Sequence, residues 1–115
     1  MALPLNVEML AAAYDYLCCT PPFNKMNMPH SEDVKFSIGR RKNEFGRYQW
    51  IGGEHHMVFS SRNVGRHILL LQTMSHEMAH LFLEVNGMCD EHGPVFQKLA
   101  DKICKHHPEF DRLNF

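Results

Sequence analysis

Nowhere in these 115 residues does an uninterrupted apolar run reach the roughly 20 residues needed to span a bilayer, which argues against membrane insertion. No secretion signal is expected either: no basic residue precedes Lys25, and Pro4, Asn6 and Glu8 interrupt the stretch that a leader would keep apolar. The expectation is an intracellular protein, cytoplasmic or, in a eukaryotic host, nuclear. There is no internal repeat, no low-complexity tract and no linker-like stretch beyond a Pro-interrupted connection at residues 20–30, so residues 1–115 read as a single domain. The four cysteines, Cys18, Cys19, Cys89 and Cys104, include no Cys-x-x-Cys pair, which favours buried free thiols.

A charge excess is also lacking. The net charge is −1, and 44% apolar with 22% charged residues is the balance of an ordinary soluble globular protein. The charge is unevenly placed, however. Between residues 35 and 66, seven basic residues (Lys35, Arg40, Arg41, Lys42, Arg47, Arg62, Arg66) meet only Glu44 and Glu54, so this segment carries +5 and the rest of the chain −6. A solvated sheet surface accounts for this; a weak contact with DNA through residues 35–66 is the sharper alternative.

What is present begins with helical periodicity. Val7, Leu10, Ala11, Tyr14, Leu17 and Cys18 recur at helical spacing behind Asn6 as N-cap, and Pro21 and Pro22 stop the pattern. The period then changes to two, with Val34, Phe36 and Ile38 alternating with Lys35, Ser37 and Gly39. Two further strands are expected, one through Gly46 to Ile51 and one through His56 to Ser61. Turn residues at Lys42-Asn43-Glu44 and Gly52-Gly53-Glu54 suggest hairpins and a small three-stranded antiparallel sheet. From about Val64 to Asn86 a helix apolar nearly all round is expected at the centre, closed by Asn86 and Gly87. A last helix opens with Pro94, carries Val95, Phe96, Leu99 and Ile103 on one face, and ends before Pro108. The fold class is α+β.

The central helix contains His76-Glu77-Met78-Ala79-His80. Side chains four apart on a helix lie one above the other, so His76 and His80 can share one Zn2+ at roughly 2.0–2.1 Å from each nitrogen. Glu77, about 100° round the helix, stands beside the ion as the catalytic general base. Read otherwise, the two histidines are hydrogen-bonded core residues, but three titratable groups in the most apolar helix are costly to bury without a shared partner. A catalytic zinc keeps one position open for water, so a third protein ligand is needed. His92, after the Gly87 turn and just before the Pro94 helix, is the first choice, with Glu84, Glu91, Asp90 and Cys89 as competitors. Glu84 is too far along the same rigid helix, and Glu91 or Asp90 would suit orienting an imidazole.

The run HEMAHLF, a glycine turn and then DEHGPVFQKLADKI resembles the SprT-like metallopeptidases, a group that includes the Spartan proteases acting on DNA–protein crosslinks. Gly46-Arg47-Tyr48-Gln49-Trp50 resembles the glycine and tryptophan element preceding the active-site helix in that family, and the likeness runs over residues 6 to 107. The resemblance implies a minimal zincin-like metalloprotease domain and makes His92, in His92-Gly93-x-x-Phe96, the third zinc ligand. Larger members add a four-cysteine zinc ribbon, a set this sequence lacks, so a DNA-linked substrate is implied less directly than zinc and peptide hydrolysis.

The leading expectation is a zinc metalloendopeptidase that binds an extended polypeptide along an exposed sheet edge, for which the third strand near Met57 to Ser61 is the candidate. The competing one is a non-catalytic binding module, with zinc enclosed by Cys89, His92, Cys104 and His107. A third keeps the fold and changes its use, to cleavage of one regulatory protein or DNA-stimulated degradation.

Overall fold

The computed structural model describes residues 5–64, 66–88 and 91–115. Helix α1 (Val7–Cys18) starts at Asn6, whose side-chain oxygen accepts from the Met9 N–H at 2.8 Å, the N-cap expected from sequence. It buries Leu10, Ala13, Tyr14 and Leu17, while Val7 stays half exposed. Strands β1 (Val34–Gly39), β2 (Gly46–Ile51) and β3 (Glu54–Ser60) follow, then the central helix α2 (His67–Val85) and α3 (Pro94–His106). Pro94 occupies the first turn of α3, and Asn86 with Gly87, at φ +69°, closes α2, both as expected. Helix α2 forms the middle of the core through Leu70, Met74, Met78, Ala79, Leu81 and Leu83. Each of its larger apolar side chains contributes roughly 1.5–3 kcal/mol when removed from water. Among the described residues no helix is long and apolar enough to cross a membrane.

The sheet corrects two expectations. Its order is β1-β3-β2, with β3 antiparallel to β2 but parallel to β1, so it is mixed and not antiparallel throughout. Strand β3 lies in the middle and cannot be the peptide-binding edge; the edges are β1 and β2. The hairpin expected from the β2–β3 turn does form, with Gly52 and Gly53 at φ +59° and +79°. The one expected at Lys42-Asn43-Glu44 does not, because the end of β3 is inserted beneath that loop. The Ser60 N–H donates to the Phe45 carbonyl and its hydroxyl to that of Arg41, the Ser61 N–H donates to Gly39, and the Asn63 amide donates to the carbonyls of Arg41, Lys42 and Glu44. These are contacts between residues about twenty apart, invisible to local turn chemistry.

Strand β2 packs against α2, and Gly46 permits the close approach. A Cβ at that position would lie 2.9 Å from the Val58 carbonyl oxygen and 3.2 Å from the Thr73 methyl. This brings the start of β2 over the helical turn that carries Thr73 and Glu77.

Candidate metal centre

His76 and His80 project from one face of α2, and His92 returns from the short turn ahead of α3. Their Nε2 atoms form a triangle with sides of 3.2 Å in each direction. Hydrogen bonds do not explain it, since three imidazole nitrogens aimed at one point have no angle at which each can both donate and accept. A shared cation does. In a tetrahedral zinc site with Zn–N distances of roughly 2.0–2.1 Å the nitrogens stand roughly 3.3–3.4 Å apart, close to the observed spacing. Among the described residues His76, His80 and His92 are the set of three side chains that can hold a metal ion.

Phe96 supports all three. Its ring, 1% exposed, stacks on His80 at 4.6 Å between centroids and meets His76 and His92 edge-on at 5.0 Å each. The reason for Phe four residues after His92 is thus physical: the first turn of α3 drives its ring beneath the imidazoles. Burial holds the pKa of both His76 and His80 down to about 4, with neighbouring imidazoles adding to the effect, so both are neutral and available as ligands at neutral pH.

Glu77 points beside the triad, 4% exposed, and borders the same cavities as His76. Burial first, and the nearby Glu44 carboxylate second, push its pKa up to about 8, while a hydrogen bond from the Tyr48 backbone N–H pulls the other way. The packing of β2 on α2 supplies that N–H.

A cavity of about 380 Å³ is bordered by the metal-binding face of α2 and by β2. Gly46, Tyr48 and Trp50 alternate along β2 and line it; the Tyr48 hydroxyl lies 2.7 Å from His55 Nδ1, and the His55 ring packs on Trp50 at 4.7 Å. Burial, with Glu84 adding to it, pushes the Tyr48 phenol up to about 12 and keeps it protonated. His55 and its partnership with Tyr48 were not foreseen. The register places His55 opposite Trp50, and only the strand pairing makes that visible.

The other sequence candidates lie as follows. Glu84 and Glu91 border the cavity outside the histidine triangle. Cys89 and Asp90 lie outside the described residues. His107 is engaged elsewhere: its Nε2 lies 3.1 Å from the Thr20 hydroxyl, its Nδ1 3.5 Å from Glu109, and its ring stacks on Phe110. Cys104, half-buried, sits near Arg112 and Asp101. Neither joins the triangle.

A model of the SprT-like family matches residues 19–114, nearly the whole chain. The chain belongs to the SprT-like family. Among curated proteins none matches it. The triad and Glu77 of this SprT-like chain fall within the matched segment.

The pKa shifts fix a pH signature for the metal-free protein. His76 and His80 are lowered from 6.5, so their contribution is complete above that value and is lost as pH falls towards about 4. Glu77 is raised from 4.5, so its contribution is complete below that value and is lost as pH rises through about 8. Stability of the chelator-treated protein, followed by urea unfolding, should therefore peak near roughly pH 6–7. Glu77→Gln should remove the alkaline decline, on the order of a few kcal/mol, and leave the acid side in place. An alkaline decline of parental size in that variant would contradict the assigned environment.

Proposed function

We propose that this SprT-like chain is a zinc-dependent metalloendopeptidase with a minimal zincin-like domain over residues 1–115, its metal held by His76, His80 and His92. The observation that carries the reading is the triangle of three Nε2 atoms beside a buried carboxylate, all bordering one cavity. An all-imidazole set suits zinc, and three ligands leave the fourth position free. Zinc bound there would lower the pKa of a water towards roughly 7 and polarise the scissile carbonyl.

The remaining steps belong to side chains. Glu77 takes the proton of the attacking water on its carboxylate and returns it to the leaving amide nitrogen. Its burial beside the triad places the carboxylate within the cavity that His76 and His80 also line. Strand β2, at the sheet edge and along the cavity, offers its backbone to an extended polypeptide, which pairs there without demanding particular side chains. Tyr48 and Trp50 form the wall against which substrate side chains lie.

DNA as an additional partner is favoured by one arrangement. Asn63 and Ser60 clamp the loop after β1 onto the end of β3, which gathers exposed Arg40, Arg41, Lys42 and Arg62 at one end of the sheet. Lys35 is engaged with Glu54, and Arg47 and Arg41 with Glu44, the latter at 3.8 Å, so Arg40, Lys42 and Arg62 are the residues that would meet phosphate.

Two experiments test these readings. His76→Ala should abolish zinc binding, Cys104→Ser should retain it, and Glu77→Gln should keep zinc while losing at least about a hundredfold in turnover. Full turnover in Glu77→Gln removes the general base, and zinc lost from Cys104→Ser but kept in His76→Ala favours the enclosed Cys/His module. For DNA, cleavage measured with and without duplex across a salt series should show stimulation that fades steeply as salt rises. Activity indifferent to both removes DNA from the account.

A further inference from the structure

The triad has an uneven foundation. His76 and His80 are fixed relative to each other by one helix, whereas His92 sits in a turn just after Glu91, a non-glycine residue at φ +45°. Something outside α2 must hold the third imidazole in register with the other two. The segment that follows α3 touches both carriers.

One branch reaches α2. Gln72 lies one turn before His76, on the same face of the helix, and is 7% exposed. A buried amide needs partners for its oxygen and its two N–H groups. It finds them on a backbone about forty residues away: its Oε1 accepts the Asp111 N–H at 2.8 Å, and its Nε2 faces the carbonyls of Asp111 at 3.4 Å and Asn114 at 3.3 Å. Asp111 then shapes the short turn Arg112–Asn114, its carboxylate accepting from the Leu113 N–H and the Asn114 amide. The turn delivers Phe115 onto His76, at 5.5 Å between rings, and onto Phe96 at 6.2 Å. The Phe115 backbone also interacts with the His76 ring and opposes the lowering of its pKa.

The other branch reaches His92. Arg112 donates from Nε to Asp101 at 2.7 Å and from Nη2 to the Gln97 side-chain oxygen at 2.6 Å. Gln97 in turn donates from Nε2 to the His92 carbonyl at 3.0 Å. The planar guanidinium thus joins the segment to α3 and, through one amide, to the turn carrying the third imidazole.

We infer that Asp111–Phe115 is a strap that positions the three metal-binding imidazoles, with Gln72 and Arg112 as its positioning residues. This rests on the zinc reading above. The strap does not touch the reacting atoms; it sets where His76 and His92 point, and imidazole orientation governs how well a metal is held. It also walls a second cavity, of about 320 Å³, lined by His76, Glu77, Phe45 and Phe115.

The test is zinc affinity, measured by competition with a chromophoric chelator on the purified full chain, alongside urea unfolding of the metal-free form. Arg112→Ala changes a partly exposed side chain and cuts the branch to His92, and Gln72→Leu cuts the branch to His76. Each should weaken zinc by about tenfold, with the metal-free unfolding midpoint of Arg112→Ala unchanged and zinc affinity partly recovered in Arg112→Lys. Cobalt substituted for zinc should show an altered visible spectrum in both. Zinc affinity within twofold of the parent in either Arg112→Ala or Gln72→Leu overturns the strap, as does a loss in Arg112→Ala matched by equal destabilisation of the metal-free protein. A parent chain that binds no zinc fails the proposed function instead, so the two failures are distinguishable.

Discussion

Three imidazole nitrogens brought within 3.2 Å of one another are a poor arrangement in the absence of a cation, and much of this small fold can be understood as what holds them there. Two come from successive turns of one buried helix. The third comes from a turn, and the buried Phe96 ring is packed against all three at once. Because a packed interior resists small displacements, that ring converts the stability of the α2–α3 contact into the spacing of the ligands.

The environment around the triad separates two kinds of titratable group. Burial makes His76 and His80 harder to protonate and Glu77 harder to ionise, so the same burial keeps these two imidazoles neutral and raises the carboxyl towards neutrality. Strand β2 contributes twice, through the Tyr48 N–H on Glu77 and through the cavity wall formed by Tyr48 and Trp50. Gly46 makes both contributions attainable by letting β2 lie close to α2.

Legibility in the sequence followed the range of the interactions. His76, Glu77 and His80 are readable because their relation is set by helical spacing alone. The Asn6 cap, the Gly52-Gly53 turn and the Pro94 start are equally local and equally plain. His92 is legible only as the first choice among several candidates, from its place between the Gly87 turn and the Pro94 helix and then from a family likeness, since nothing in a turn's sequence fixes where its side chain points. Strand order was misread because the loop after β1 takes its shape from Ser60 and Asn63, which compete with the hairpin that Lys42-Asn43-Glu44 suggests. Gln72 and Asp111 are separated by 39 positions, and a lone glutamine in an apolar helix carries no mark of its distant partner. His107, attractive beside Cys104 as a ligand pair, is instead a packing residue between Thr20 and Phe110.

The most direct measurement is X-ray absorption at the zinc edge of the reconstituted protein. The account predicts one zinc per chain with about three imidazole nitrogens and one further oxygen at roughly 2.0–2.1 Å, and no sulfur in the ligand shell. Sulfur scattering at roughly 2.3 Å, or a chain that retains no metal, would contradict it.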